Sequence, residues 1–162
     1  MFKRYNTDNG YHEFSITKII TFTDSGNLAY YSDLYTRLQQ DDDFGDIKIP
    51  KFTFEVTDNQ LIVNSELIKG RQWQDDDFWH NTDLIANNLV MKDGDYSVKD
   101  YSPWNFVSEV DTNDVYYIDF EGYDRCTIQE RAELLEQTRD HILARLDPVS
   151  RSNRVRSRFK IL

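Results

Sequence analysis

Val98-Lys99-Asp100-Tyr101-Ser102-Pro103-Trp104-Asn105-Phe106-Val107, followed by Tyr117-Ile118-Asp119-Phe120-Glu121-Gly122, is the stretch on which the reading of this chain turns. Trp104 to Val110 and Val115 to Phe120 are apolar and rich in β-branched and aromatic residues. Between them Asp111-Thr112-Asn113-Asp114 is a turn signal, so a hairpin is predicted. Asp100 and Asn105 enclose four residues, with Pro103 three after the Asp, and Asp119 ends the second strand. Asp and Asn flank hairpins in many α+β domains simply as turn formers. What separates this stretch from that background is the ordered conjunction: D-x-x-P-x-N, a strand, a turn, a strand, then Asp-Phe-Glu.

Working outward, residues 2–6 and 13–23 are rich in strand formers and flank Thr7-Asp8-Asn9-Gly10, where a hairpin turn is predicted. Asp24-Ser25-Gly26-Asn27 offers helix caps before Leu28 to Gln39, in which Leu28, Tyr31, Leu34, Tyr35 and Leu38 recur at helical spacing. Phe52 to Thr57 and Gln60 to Leu67 read as strands joined by Asp58-Asn59. A short helix is predicted over 82–91 (Leu84, Ile85, Asn88, Leu89), ended by Asp93-Gly94. A long helix runs from Ile128 to Leu146, with Ala132, Leu135, Ile142 and Leu146 on one face and Pro148 after it. The order of elements describes an α+β domain with two small sheets.

Composition sets the outer bounds. The chain has 162 residues, enough for one domain, and 23 aromatics (3 Trp, 10 Tyr, 10 Phe) with which to build a core. A chain of this length buries roughly 70% of its unfolded surface. The formal charge of −10 disfavours non-specific attraction to nucleic acid or an anionic membrane. From Arg145 to Leu162, however, six basic residues face one acid, a net of +5, which leaves −15 for the rest. That basic tail, 151–162, is the only candidate for a nucleic-acid contact. No apolar run approaches a membrane span and Met1-Phe2-Lys3-Arg4 leads into no apolar segment, so no signal peptide and a cytoplasmic protein are expected. The lone Cys126 excludes an intramolecular disulfide and a multi-Cys zinc site. Asp41-Asp42-Asp43 and Asp75-Asp76-Asp77 read as solvated surface loops. His12, His80 and His141 show no metal spacing, and Trp73, Trp79 and Trp104 read as core or loop anchors.

The chemistry follows from the opening stretch. One carboxylate can take a hydroxyl proton while an amide oxygen and a second carboxylate hold Mg²⁺ on ATP phosphates, because Mg²⁺ needs only a few hard oxygen ligands besides phosphate and water. Here the chain resembles the kinase-like superfamily, which includes protein kinases and the aminoglycoside and choline phosphotransferases. The resemblance implies that Asp100 matches the catalytic-loop Asp, Asn105 the metal-binding Asn and Asp119 the first residue of the Asp-Phe-Gly-type motif. Asp119-Phe120-Glu121 looks more like the small-molecule phosphotransferase and atypical-kinase versions. Leu61 to Gly70 looks like the fifth strand and hinge, placing Glu66 and Ile68 where backbone groups pair with adenine. Lys18, on the Ile16 to Phe22 strand, matches the phosphate-binding lysine. Asp33, in Ser32-Asp33-Leu34-Tyr35-Thr36-Arg37-Leu38, matches the helical acid that pairs with it, fifteen residues on. Lys3 and Glu13 are the rival pair.

The resemblance covers most of residues 14–122 and carries departures. Val98 replaces the usual His, Asp33 is a methylene shorter than Glu, and no G-x-G-x-x-G is present, Asn9-Gly10 alone standing near the phosphate-covering turn. The fold expected is therefore α+β, a minimal protein-kinase-like domain with an antiparallel N-lobe sheet plus helix and a strongly truncated C-lobe. Its parts would be an N-lobe-like 1–68, a reduced C-lobe 69–146 with the catalytic loop, and a basic tail 147–162. The resemblance implies a Mg-ATP-dependent phosphotransferase acting on a hydroxyl of an unknown small-molecule or protein acceptor. A catalytically weak pseudokinase-like module that binds a host or partner protein is the alternative. Miniature proteins of this kind are expected in phage genomes, which would put the protein in host cytoplasm. The side exposed by a reduced C-lobe would permit a homodimer.

Overall fold

The computed structural model describes residues 5–40, 45–90 and 96–146. Its first half runs β1 (Tyr5–Tyr11), β2 (Ser15–Phe22), α1 (Ser25–Gln40), β3 (Ile47–Lys48), β4 (Phe52–Val56), β5 (Gln60–Glu66) and β6 (Gly70–Gln72). There follow α2 (Asp75–His80), α3 (Thr82–Ala86), β7 (Tyr96–Val98), β8 (Phe106–Glu109), β9 (Val115–Tyr117), β10 (Tyr123–Arg125) and α4 (Ile128–Leu146). One sheet has the order β1-β2-β5-β4, with every neighbour antiparallel. A second has the order β3-β9-β8-β6, where only β3 and β9 run parallel, and β7 pairs with β10.

The alternation in β2 sorts its side chains between two faces. Ile20 and Phe22 point into the core with Leu61 and Val63 of β5, while Ile16 and Lys18, on the same face nearer the strand's start, line a cleft. Helix α1 covers the core end of that face. Asp24 Oδ1 accepts the Gly26 N–H at 2.6 Å and starts the helix, and Tyr31, Leu34, Tyr35 and Leu38 form its buried stripe. Burying side chains of this size contributes about 1.5–3 kcal/mol each. Tyr35 also reaches across to Phe120, at 5.9 Å between ring centroids, so the helix touches the segment that carries Asp119.

Four local expectations are corrected. The predicted turn Thr7–Gly10 lies inside β1, where Asn9 pairs with Lys18 and Gly10 with Thr17. The chain reverses instead at His12–Phe14, with His12 N–H donating to Ser15 O at 2.8 Å. A two-residue hairpin turn needs left-handed backbone, and among the described glycines only Gly45 has it. Asp75-Asp76-Asp77 is not a loop but the first turn of α2, where carboxylates favour the helix dipole. Asp77 takes a bidentate pair from Arg71 at 2.6 Å, and Asp75 one from Arg145 at 2.9 Å. The 82–91 helix stops at Ala86, and beyond its cap Asn87 the chain turns left-handed at Leu89, φ 68°. On α4, Ala132 is exposed, and the buried positions are Leu135 and Ile142.

Arg131 of α4 reinforces that early stop. Its guanidinium donates to the carbonyls of Ile85 and Ala86 at 2.7 Å and to that of Asn88, supplying the partners a helix end lacks. Among the described residues no helix is long and apolar enough to cross a membrane. Lys3, Asp41-Asp42-Asp43, Asp93-Gly94 and the tail 147–162 lie outside the described residues.

Candidate active site

The hairpin β8–β9 and the loop before it are fastened to the turn after β9 through the backbone. Lys99 N–H and Asp100 N–H both donate to Gly122 O, at 2.7 and 3.4 Å, and Ile118 N–H donates to Asn105 O at 2.9 Å. Tyr117 hydroxyl donates to Asp100 O at 3.0 Å. Gly122 leaves room for that same hydroxyl, which an added Cβ would overlap. The residues from 99 to 105 are thereby held in one register against Asp119-Phe120-Glu121.

This frame forms one wall of a cleft of about 430 Å³ between the two sheets. Lys18, Glu66, Ile68, Asn105 and Asp119 all line it. Asp100 is exposed in the adjoining loop, where its Oδ1 accepts the Ser102 N–H at 3.1 Å and the Ser102 hydroxyl at 2.6 Å. Asn105 is 7% exposed, and its amide nitrogen finds no partner among the described residues. Of several buried polar atoms in that state, this one belongs to a residue that lines the cleft. The remaining wall mixes apolar residues, Ile16, Val63, Trp104 and Ile118 among them, with the polar Asn9, Ser65 and Gln72. Trp104, expected as an anchor, is 56% exposed. A larger concavity of about 660 Å³ lies beyond Pro50 and Glu66, near Lys48 and Lys51, and holds none of Lys18, Asn105 or Asp119.

The expected Lys18–Asp33 ion pair is not made. Lys18 Nζ lies 3.0 Å from Glu121 Oε2, and the Tyr35 hydroxyl donates to Glu121 Oε1. Asp33 stands roughly 150° around α1 from the centre of the buried stripe, at 3.6 residues per turn. It pairs with Arg37 at 3.3 Å and accepts the Tyr96 hydroxyl at 3.1 Å. The rival acid Glu13 is exposed in the β1–β2 turn. Sequence reading missed Glu121 as an ion-pair partner; the signal available was an acid in the position where the motif usually has glycine, together with a shortened acid on the helix.

Burial, a hydrogen bond to Glu121 and the Glu121 charge push Asp119 up to about 8, and the Lys18 charge opposes them only in part. Burial would raise Glu121 too, but the hydrogen bond to Asp119, the Lys18 charge and the Tyr35 and Lys18 hydrogen bonds outweigh it and hold Glu121 low. The two carboxyls are thus pushed in opposite directions, Asp119 towards its neutral form and Glu121, beside the Lys18 ammonium, towards its charged form. Lys18, although penalised by burial, is raised by the Glu121 charge and by its hydrogen bond to Glu121, and stays an ammonium.

Comparison with known proteins bears on the fold. No protein-family model matches the chain, and no curated protein matches it in sequence. It is similar in structure to WbdD, solved with the kinase inhibitor LY294002, at 13% identity and a TM-score of 0.50 over 76% of this chain and 33% of that one. A second WbdD structure matches 84% of this chain and 37% of that one, at 12% identity and a TM-score of 0.49. The chain thus spans about a third of the WbdD chain. The fold is α+β and kinase-like: an antiparallel N-terminal sheet with its helix, set on a small second lobe.

Proposed function

We propose that the protein is a Mg-ATP-dependent phosphotransferase that moves the γ-phosphoryl group to a hydroxyl of a small-molecule or protein acceptor in the cytoplasm. The observation that carries this reading is the convergence of Lys18, Asn105 and Asp119 on one cleft, with Asp100 in the loop beside it. Composition and spacing do not bring β2 and the β9 turn together; the folded chain does.

The donor set fits a divalent cation. Asn105 and Asp119 offer the hard oxygens Mg²⁺ takes when it keeps water and phosphate in its shell, and Asn105 has an unsatisfied amide to engage phosphate or a water of that shell. When bound, the cation would neutralise phosphate charge as the transfer proceeds. Lys18 would hold phosphate oxygens with the ammonium donors that Glu121 leaves free. Asp100 would orient the acceptor hydroxyl and take its proton as the hydroxyl oxygen bonds to the γ-phosphorus. The bond from phosphorus to the bridging oxygen breaks, and ADP leaves. Apolar residues from both sheets, Ile16 and Val63 on one side and Val107 and Ile118 on the other, would sandwich the base.

Thermal melting with and without ATP and Mg²⁺, run on the unaltered protein and on Asp119→Ala, tests the nucleotide site. A ligand at about 100 times its Kd stabilises by roughly 2.7 kcal/mol, so a Mg-dependent rise in Tm that the variant lacks is expected. No rise in the unaltered protein overturns the reading. Phosphoryl transfer or ATP hydrolysis that disappears in Asp100→Asn, with Mg-ATP binding retained, distinguishes an enzyme from a nucleotide-binding pseudokinase.

A further inference from the structure

We infer that Glu121, and not an acid of α1, positions Lys18 for phosphate, so that the tripeptide Asp119-Phe120-Glu121 supplies both a cation ligand and the lysine's partner. The inference rests on the phosphotransferase reading and assigns a residue that reading leaves open.

Geometry carries it. Glu121 is 6% exposed; its Oε2 lies 3.0 Å from Lys18 Nζ, its Oε1 accepts the Tyr35 hydroxyl, and it shares a hydrogen bond with Asp119. One oxygen steers the ammonium, and the other is braced from α1. Phe120, its neighbour, is locked between Phe52, at 4.8 Å, and Tyr35, at 5.9 Å. Gly122, on the other side, is pinned by the two amides that donate to its carbonyl. Glu121 therefore has little freedom to follow Lys18; the lysine is drawn to it. An ammonium has three donors, so one carboxylate oxygen leaves two for a phosphate at the cleft. Helix α1 contributes a neutral hydroxyl, and its own acid is occupied by Arg37 and Tyr96 on another side. The charge that organises the lysine thus travels with the cation ligand and not with the helix.

Calorimetric titration of the full chain with Mg-ATP and, separately, with adenosine tests this assignment. Adenosine shares the base and lacks phosphate, so a positioning role moves one affinity and a structural role moves both. Glu121→Gln keeps the shape of the side chain and Lys18→Met removes the ammonium. Each is expected to weaken Mg-ATP about tenfold or more, the size of a lost hydrogen bond to a charged group, with adenosine affinity retained. The double variant is expected to bind no more weakly than Lys18→Met, since both changes remove one interaction. Glu121→Gln that binds Mg-ATP like the unaltered protein overturns the inference, as does parallel loss of adenosine. Asp33→Ala reproducing the Lys18→Met loss returns the role to α1 and leaves the phosphotransferase reading standing. Failure of the unaltered chain to bind Mg-ATP defeats that reading itself.

Discussion

The middle of α1 and the turn after β9 each present a carboxylate that a lysine on β2 could use, and they are opposite in character. Asp33, with a side chain 48% exposed, shares its charge with Arg37 one helical turn away. Glu121 is buried against Lys18 and Tyr35, from two other elements. The first is a surface ion pair, the kind whose contribution is screened and small. The second is a buried pair whose separation leaves a charge without its counter-charge. Carboxylates of similar chemistry thus carry different weight because of where the fold puts them.

The largest effect expected from that contrast is on stability. Glu121→Ala strands the Lys18 ammonium and the Tyr35 hydroxyl, and should cost about 3–5 kcal/mol, read as a fall in the urea midpoint. A cost below that of an ordinary surface substitution would mean that the pair is solvated after all. Next comes Gly122→Ala, whose new Cβ meets the Tyr117 hydroxyl at 1.7 Å. Overpacking of this kind should cost about 1–3 kcal/mol, and Tyr117→Phe in the same chain should restore part of it. Equal stability of the single and double variants would show that the contact relaxes without strain.

The third test uses pH. Asp119 is raised from 3.8 to about 8 in the folded protein, through burial and its hydrogen bond to charged Glu121. A group with a raised folded pKa contributes stability that is fully present below its unfolded pKa and is lost as pH rises through the folded one. Unfolding free energy should therefore fall with rising pH between those values, with this group's share at most about 1.4 kcal/mol per pH unit. Asp119→Asn should flatten the decline; an unchanged slope would mean that the shared proton is absent. The smallest effect belongs to Asp33→Ala, which should change unfolding free energy by no more than about 0.5 kcal/mol. A larger loss would erase the contrast with Glu121.

Much of the fold was legible because its signals are local. The stripe Tyr31, Leu34, Tyr35, Leu38 marks α1, Asp58-Asn59 separates β4 from β5, and the run from Ile128 to Leu146 has the bounds of α4. That Asp100, Asn105 and Asp119 lie near one another was legible for the same reason: a loop and a hairpin join them, so distance along the chain constrains distance in space. The turn at Asn9-Gly10 failed where local preference met long-range pairing. Seven residues of β1 align with β2, and that ladder carries the dipeptide straight through its own turn signal. The Asp75–Asp77 run became a helix start through Arg71 and Arg145, the second of them seventy residues away.

Lys18 shows the division most plainly. Its place on a strand beside a cleft follows from alternation within eight residues, whereas its partner Glu121 lies 103 residues along the chain. Alternation and helical periodicity are written into neighbouring side chains, so they specify elements and the faces those elements bury. A carboxylate's partner depends on which elements pack together, how deeply the group is buried and which hydroxyls reach it. Helical periodicity already turned Asp33 outward; packing drew Glu121 inward and set the charge of the site.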